Sequence, residues 1–229
     1  MTMEAGMERG GMGRLQGALG QWIDVSRPLG NGIPVWPGDV PFELRQRRVE
    51  GLVVGSFSST CHVGTHLDAP LHVTPGGRPV DEIPLGRLIG PAEVVRVSGE
   101  GPRVGRDELP PGWRPRAPRV LLATGSFAAD AAAVDDRFRG LEVELVEYLA
   151  GCGTALVGID TPSVDPLAST DLPAHHALAD AGIVWIEGLL LDHVEEGLYH
   201  MVALPLPLVG ADGAPCRAVL RPLRGSPVT

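Results

Sequence analysis

The chain has 229 residues, 44% of them hydrophobic and 21% charged, as expected of a globular protein long enough for one substantial core. Its formal net charge of −9 excludes a nucleic-acid surface, which needs clustered basic groups to neutralise phosphates. No apolar run approaches the roughly 20 residues that span a bilayer, and the N-terminus lacks the basic flank and apolar stretch of a secretory signal, so a cytoplasmic location is expected.

Residues 1–20, "MTMEAGMERGGMGRLQGALG", are rich in Gly and Met without strong periodicity and read as a flexible N-terminal extension with a short helix near Leu15. Residues 21–229 read as a single α/β domain. "QWIDVSRPL" is a strand that runs into the turn-rich "GNGIPVWPGDVPF", where Pro34, Pro37 and Pro41 impose an irregular loop around Trp36. A lone Trp is first a packing anchor, and a stiffened loop also places one well to stack on an aromatic ligand. Short β-branched runs bounded by Gly or Pro predict strands at 42–49, 53–62, 92–98, 118–124 and 154–160. In "LEVELVEYLAGCG", Leu141, Leu145, Val146 and Leu149 repeat at helical spacing and Gly151 supplies the stop. "DLPAHHALADAG" predicts a second helix with Asp171 as N-cap, Pro173 in the first turn and Gly182 at the end. "IVWIEGLLLDHV", "LYHMVALPL" and "CRAVLRPL" read as the closing strands.

The segment "CHVGTHLDAPLH" concentrates His62, His66, Asp68 and His72 within twelve residues. Gly64 and Pro70 argue against a continuous helix, so a strand ending near Cys61 is expected to pass into a tight loop that converges these side chains. One such histidine is ordinarily a surface or backbone-satisfied residue. Three with an aspartate, among mostly apolar or small neighbours, point to a metal site of the imidazole–carboxylate type that suits zinc, manganese or iron. Adjacent helical residues diverge by about 100°, so only one of His175 and His176 can face that site. Glu187 places a carboxylate inside an apolar strand, where a cation or an arginine is its natural partner. Asp160 and Asp165 read as turn-forming residues that shape a pocket wall. His193 and His200 default to surface or packing roles. Cys61, Cys152 and Cys216, an odd number without a CxxC pair, fit free thiols in a reducing compartment, and nothing marks Cys61 as a nucleophile.

The motifs "HVGTHLDAPLH", "VGIDTPSVDP", "AHHALADAGIVWIEGLLLD", "ALPLPLVGADGAPCRAVLRPL" and "PVWPGDVPF" resemble, in order from about residue 21 to 224, the bacterial kynurenine formamidases of the cyclase-like metal-dependent hydrolase family. The resemblance implies a swivelling β/β/α domain with a mixed, barrel-like sheet and flanking helices, assembled as a dimer or higher homo-oligomer. It implies two divalent metal ions, zinc in the formamidase branch and manganese in some relatives. His62, His66 and Asp68 would hold one, His175 would ligate the second, and Asp68 and Glu187 would bridge them. His72 would be the catalytic acid–base and Trp36 would contact the aromatic substrate. The implied reaction is hydrolysis of N-formyl-L-kynurenine to L-kynurenine and formate in tryptophan degradation. The alternative is a sister enzyme that opens a cyclic amide or lactone, as isatin hydrolases do.

Overall fold

The computed structural model describes residues 22–223, so the N-terminal extension lies outside the described residues. Among the described residues twelve strands are present: β1 (Ile23–Asp24), β2 (Glu43–Val49), β3 (Leu52–Ser58), β4 (His66–Asp68), β5 (Ile89–Arg96), β6 (Arg103–Val104), β7 (Arg119–Ala123), β8 (Gly140–Leu141), β9 (Leu156–Ile159), β10 (Val184–Glu187), β11 (Gly197–Pro205) and β12 (Gly213–Pro222). The α-helices are α1 (Leu85–Leu88), α2 (Val143–Gly151) and α3 (Pro173–Asp180).

The main sheet runs β1-β12-β11-β5-β7-β9-β10-β4, and a β12–β4 pairing closes seven of these strands into a barrel. Its central β5, β7, β9 and β10 are mutually parallel, while β4, β11 and β12 join antiparallel, so the sheet is mixed. Alternation along each strand splits the apolar side chains between two cores. Leu67, Val94, Leu121, Ile186, Met201, Ala203 and Leu220 fill the barrel. Val95, Val120, Leu122, Val157, Ile159 and Trp185 face outward and pack on Leu145, Val146 and Leu149 of α2 and Ala174 and Leu178 of α3. The helical spacing of Leu145, Val146 and Leu149 thus supplies the stripe that covers one outer face of the barrel, whereas Leu141, read from the sequence as part of that repeat, lies in β8.

β2 and β3 form a separate hairpin with a two-residue turn, Glu50 and Gly51, both at positive φ, a geometry that matches the twist of the flanking strands. All its residues except Val49 are exposed, including Leu52, Val53, Val54 and Phe57.

Several expectations are corrected. The strand predicted over 53–62 stops at Ser58, and the loop expected through 62–72 contains β4, held by β10 on one edge and β12 on the other. Three residues carry no strand periodicity of their own, and neighbours on both sides impose the conformation. Asp171 does not cap α3: the N-cap is Leu172, in the left-handed region at φ 45, with no side-chain cap. The free amides of Ala174 and His175 go instead to the Asp165 carboxylate.

Candidate metal centre

β4 and β10 are the floor of the site. Their antiparallel register sets His66 opposite Glu187 and Asp68 opposite Trp185. Period-two alternation puts these four side chains on the outer face, while Leu67 and Ile186 turn into the barrel core. The first turn of α3 lies over this face, with His175 buried and His176 exposed. His62 comes from the segment before β4, and His72 from the single 3₁₀ turn Pro70–His72 after it. Close approach is enforced by two glycines. A Cβ on Gly213 would stand 2.9 Å from His62 Cε1, and one on Gly188 would stand 2.1 Å from the Gly64 carbonyl.

The polar geometry is repetitive. Asp68 turns Oδ1 toward His66 Nε2 at 3.4 Å and Oδ2 toward His175 Nε2 at 3.7 Å. Glu187 does the same, with Oε2 3.1 Å from His66 Nε2 and Oε1 3.5 Å from His175 Nε2. Each carboxylate therefore spans the two imidazoles. Their remaining capacity is fixed by the surroundings: the Trp185 indole N–H donates to Asp68 Oδ2 at 2.9 Å, and the Val164 amide donates to Glu187 Oε1 at 2.8 Å. His175 donates its Nδ1–H to Asp165 at 2.8 Å, and His66 donates its own to the Gly64 carbonyl at 3.1 Å. Both rings thus present Nε2 to the carboxylates, in orientations held from behind.

His62 lies between Asp68 at 2.8 Å and Asp212 at 3.0 Å, and His72 Nδ1 is 3.4 Å from the same Asp212 oxygen. Burial opposes a charge on His62, but the two carboxylates outweigh it and push its pKa up to about 10. Burial likewise opposes, and acids override, for His66 beside Asp68 and Glu187 and for His175 beside Asp165 and Glu187, so both are raised. Desolvation works to raise Asp68, yet the surrounding histidines hold it well below the carboxylate range. The same negative field that attracts protons here attracts a divalent cation, which competes for the same lone pairs.

The residues fit a metal. Buried His66 Nε2 has no hydrogen-bond partner despite lying between two carboxylates, an arrangement that is costly until a cation occupies it. Among the described residues two donor sets have their ligating atoms within 4.8 Å of one another, His66–Asp68–Glu187 and His62–Asp68–His72, and Asp68 belongs to both. Above them opens a cavity of about 370 Å³ with His72 and His175 at its floor and Trp36, Phe127 and Val134 in its wall. Trp36 is half-buried and packs edge-on against Phe138, with centroids 6.1 Å apart, so it anchors the loop and lines the cavity at once.

All seven candidate residues from the sequence therefore line one cavity. Other residues at the centre carry no site signal in their local sequence. Asp212 sits in a "GADGAP" turn whose composition signals only a loop. Trp185 reads as a core residue and differs only by its indole N–H. Asp165 does more than shape a wall: it caps α3, orients His175 and pairs with Arg103 at 2.7 Å. Asp160 makes no local turn bond: its carboxylate accepts from Thr124 Oγ1 and the Gly125 amide and so ties the end of β9 to the loop after β7. Cys61 is half-buried, with its thiol pushed up by burial and by Asp212, against a nucleophilic role. His193 is exposed, and His200 packs edge-on to Trp22, 6.3 Å between centroids.

A mixed barrel with two imidazoles and two shared carboxylates buried beneath an open cavity has the donor set of a metal-binding hydrolytic protein. The model of the Cyclase family, described as "Putative cyclase", matches residues 23–166. A kynurenine formamidase of Salinibacter ruber is 45% identical over 87% of this chain and 96% of its own. One from Geobacillus thermodenitrificans is 44% identical over 89% and 98%. Among solved structures, a chain described as a potential metal-dependent hydrolase with cyclase activity superposes with a TM-score of 0.76 at 32% identity, covering 87% of this chain and 96% of that one. This chain belongs to the Cyclase family.

Proposed function

We propose that the chain is a metal-dependent formamidase that hydrolyses N-formyl-L-kynurenine to L-kynurenine and formate, breaking a carbon–nitrogen bond that is not a peptide bond. The observation that carries the chemistry is the pair of buried carboxylates, each turned between His66 and His175. Relatives named kynurenine formamidase, matched over nearly their whole length, support the substrate.

In this reading His62, His66 and Asp68 would hold one divalent ion and His175 a second, with Asp68 and Glu187 available to both. Zinc suits these nitrogen and oxygen donors, and manganese accepts the same set. When bound, such ions polarise a carbonyl and lower the pKa of water toward neutrality. The protein does the rest. Trp36, Phe127 and Val134 offer an apolar wall for the aryl ring. Asp212 engages His72 Nδ1, which leaves Nε2 free to pass a proton to the departing aryl amine. The neighbouring histidines hold Asp68 ionised against its burial, and the dry floor strengthens the hold of a carboxylate on a cation.

Homo-oligomeric assembly belongs to the same reading, because Leu52, Val53, Val54 and Phe57 form an apolar ribbon on the β2–β3 hairpin. Sedimentation at micromolar concentration reads this directly, and a monomer would remove that part. A reducing, cytoplasmic setting accords with three free thiols. The substrate is tested by assaying N-formyl-L-kynurenine and isatin side by side: turnover of the first is expected, and turnover of isatin alone would replace the formamidase reading.

A further inference from the structure

Among the described residues three arginines are buried, and they are satisfied very differently. Arg119 spends every nitrogen on carbonyls of Gly86, Arg87, Ile89 and Pro91. Arg139 is equally complete, divided among Glu108 and the carbonyls of Gly101 and Arg103. Arg27 is 6% exposed and uses Nη1 alone, donating to the carbonyls of Ala128 at 3.1 Å and Ala129 at 2.9 Å. Its Nε and Nη2 are buried without a partner. Asp192 and Asp160 reach it only through their field.

This under-satisfied cation lies at the cavity. Arg27 lines it, and the guanidinium carbon stands 4.7 Å over the ring of Phe127, another wall residue. The backbone of Arg27 is tied to the metal floor, since its amide donates to Thr65 Oγ1, which donates to the Gly188 carbonyl. A buried guanidinium with free donors is strongly driven to acquire an anion, and its planar fork matches a carboxylate.

We infer that Arg27 is a specificity-determining residue that recognises a carboxylate on the substrate, selecting aryl formamides whose tail carries a carboxylate over those without one. This rests on the formamidase reading for the identity of the aryl amide. The Phe127 ring then sorts the two ends of the ligand: aromatic body against the apolar wall, carboxylate toward the guanidinium.

Equilibrium binding of L-kynurenine and of kynurenamine, the same molecule without its carboxylate, isolates that group without requiring turnover. The native protein should bind L-kynurenine at least about tenfold more tightly. Arg27→Met should abolish the preference while leaving kynurenamine affinity nearly unchanged, and Arg27→Lys should retain part of it. No preference in the native protein would overturn the inference, as would equal weakening of both ligands in Arg27→Met, which would mark Arg27 as a prop for the 126–139 segment. If Arg27→Met fails to fold, the native preference and the Arg27→Lys variant still decide. A native preference for L-kynurenine that the Arg27 variants lose, in a protein that leaves N-formyl-L-kynurenine intact, would sink the formamidase reading and uphold Arg27.

Discussion

Replacing Asp165 with Asn tests how the centre is held from behind. The Asp165 carboxylate receives the His175 Nδ1–H at 2.8 Å, the Arg103 guanidinium at 2.7 Å and the first free amides of α3. Burial works to raise its pKa, but His175 and Arg103 prevail and lower it from 3.8 to about 2. That depression corresponds to about 2 kcal/mol of folding stability at neutral pH, or a fall in Tm of roughly 4–8 °C for a chain of this size. The sign is fixed by the direction of the shift. An acid depressed on folding contributes fully above its unfolded value of 3.8, and the contribution is lost as pH falls toward about 2. Urea unfolding of the metal-free proteins should therefore show Asp165→Asn less stable at pH 7, with the gap closing in acid. Metal affinity should drop about 10- to 100-fold, because the His175 ring loses its charged anchor. Equal stability at pH 7, or a gap that persists undiminished in acid, would refute the linkage. Unchanged metal affinity would refute the positioning of His175.

Three further substitutions separate the roles. His72→Ala should keep bound metal near the native level while kcat falls by about 10²-fold or more, and full activity would remove His72 from proton transfer. Glu187→Gln should lower the metal bound per chain measured by elemental analysis, and unchanged stoichiometry would count against a shared ligand. Asp212→Asn should reduce kcat about tenfold with little change in KM, since it frees His72 Nδ1, whereas a KM effect alone would contradict that role.

What the sequence disclosed follows from how local each signal is. Leu145, Val146 and Leu149 carry the period of α2 by themselves, and the apolar run before Asp160 carries β9, so both elements were legible. The histidine cluster was legible because metal chemistry needs those residue types close together. β4 was not, since three residues become a strand only between β10 and β12. Asp212 and Asp165 lie in turn-forming sequences, and their contacts with His72 and His175 arise only when distant loops meet. Glu187 stood out for a physical reason: a carboxylate in an apolar strand demands a partner, and His66 lies directly across the ladder.

On the proposed function, the Asp68–Glu187 floor holds metal that the hydrolysis of N-formyl-L-kynurenine requires. The most direct measurement follows turnover of that substrate together with metal content, first after chelation and then as zinc is returned. Activity should vanish with the metal and recover in step with binding, saturating at two ions per chain. Undiminished turnover by protein shown to contain no metal would contradict it.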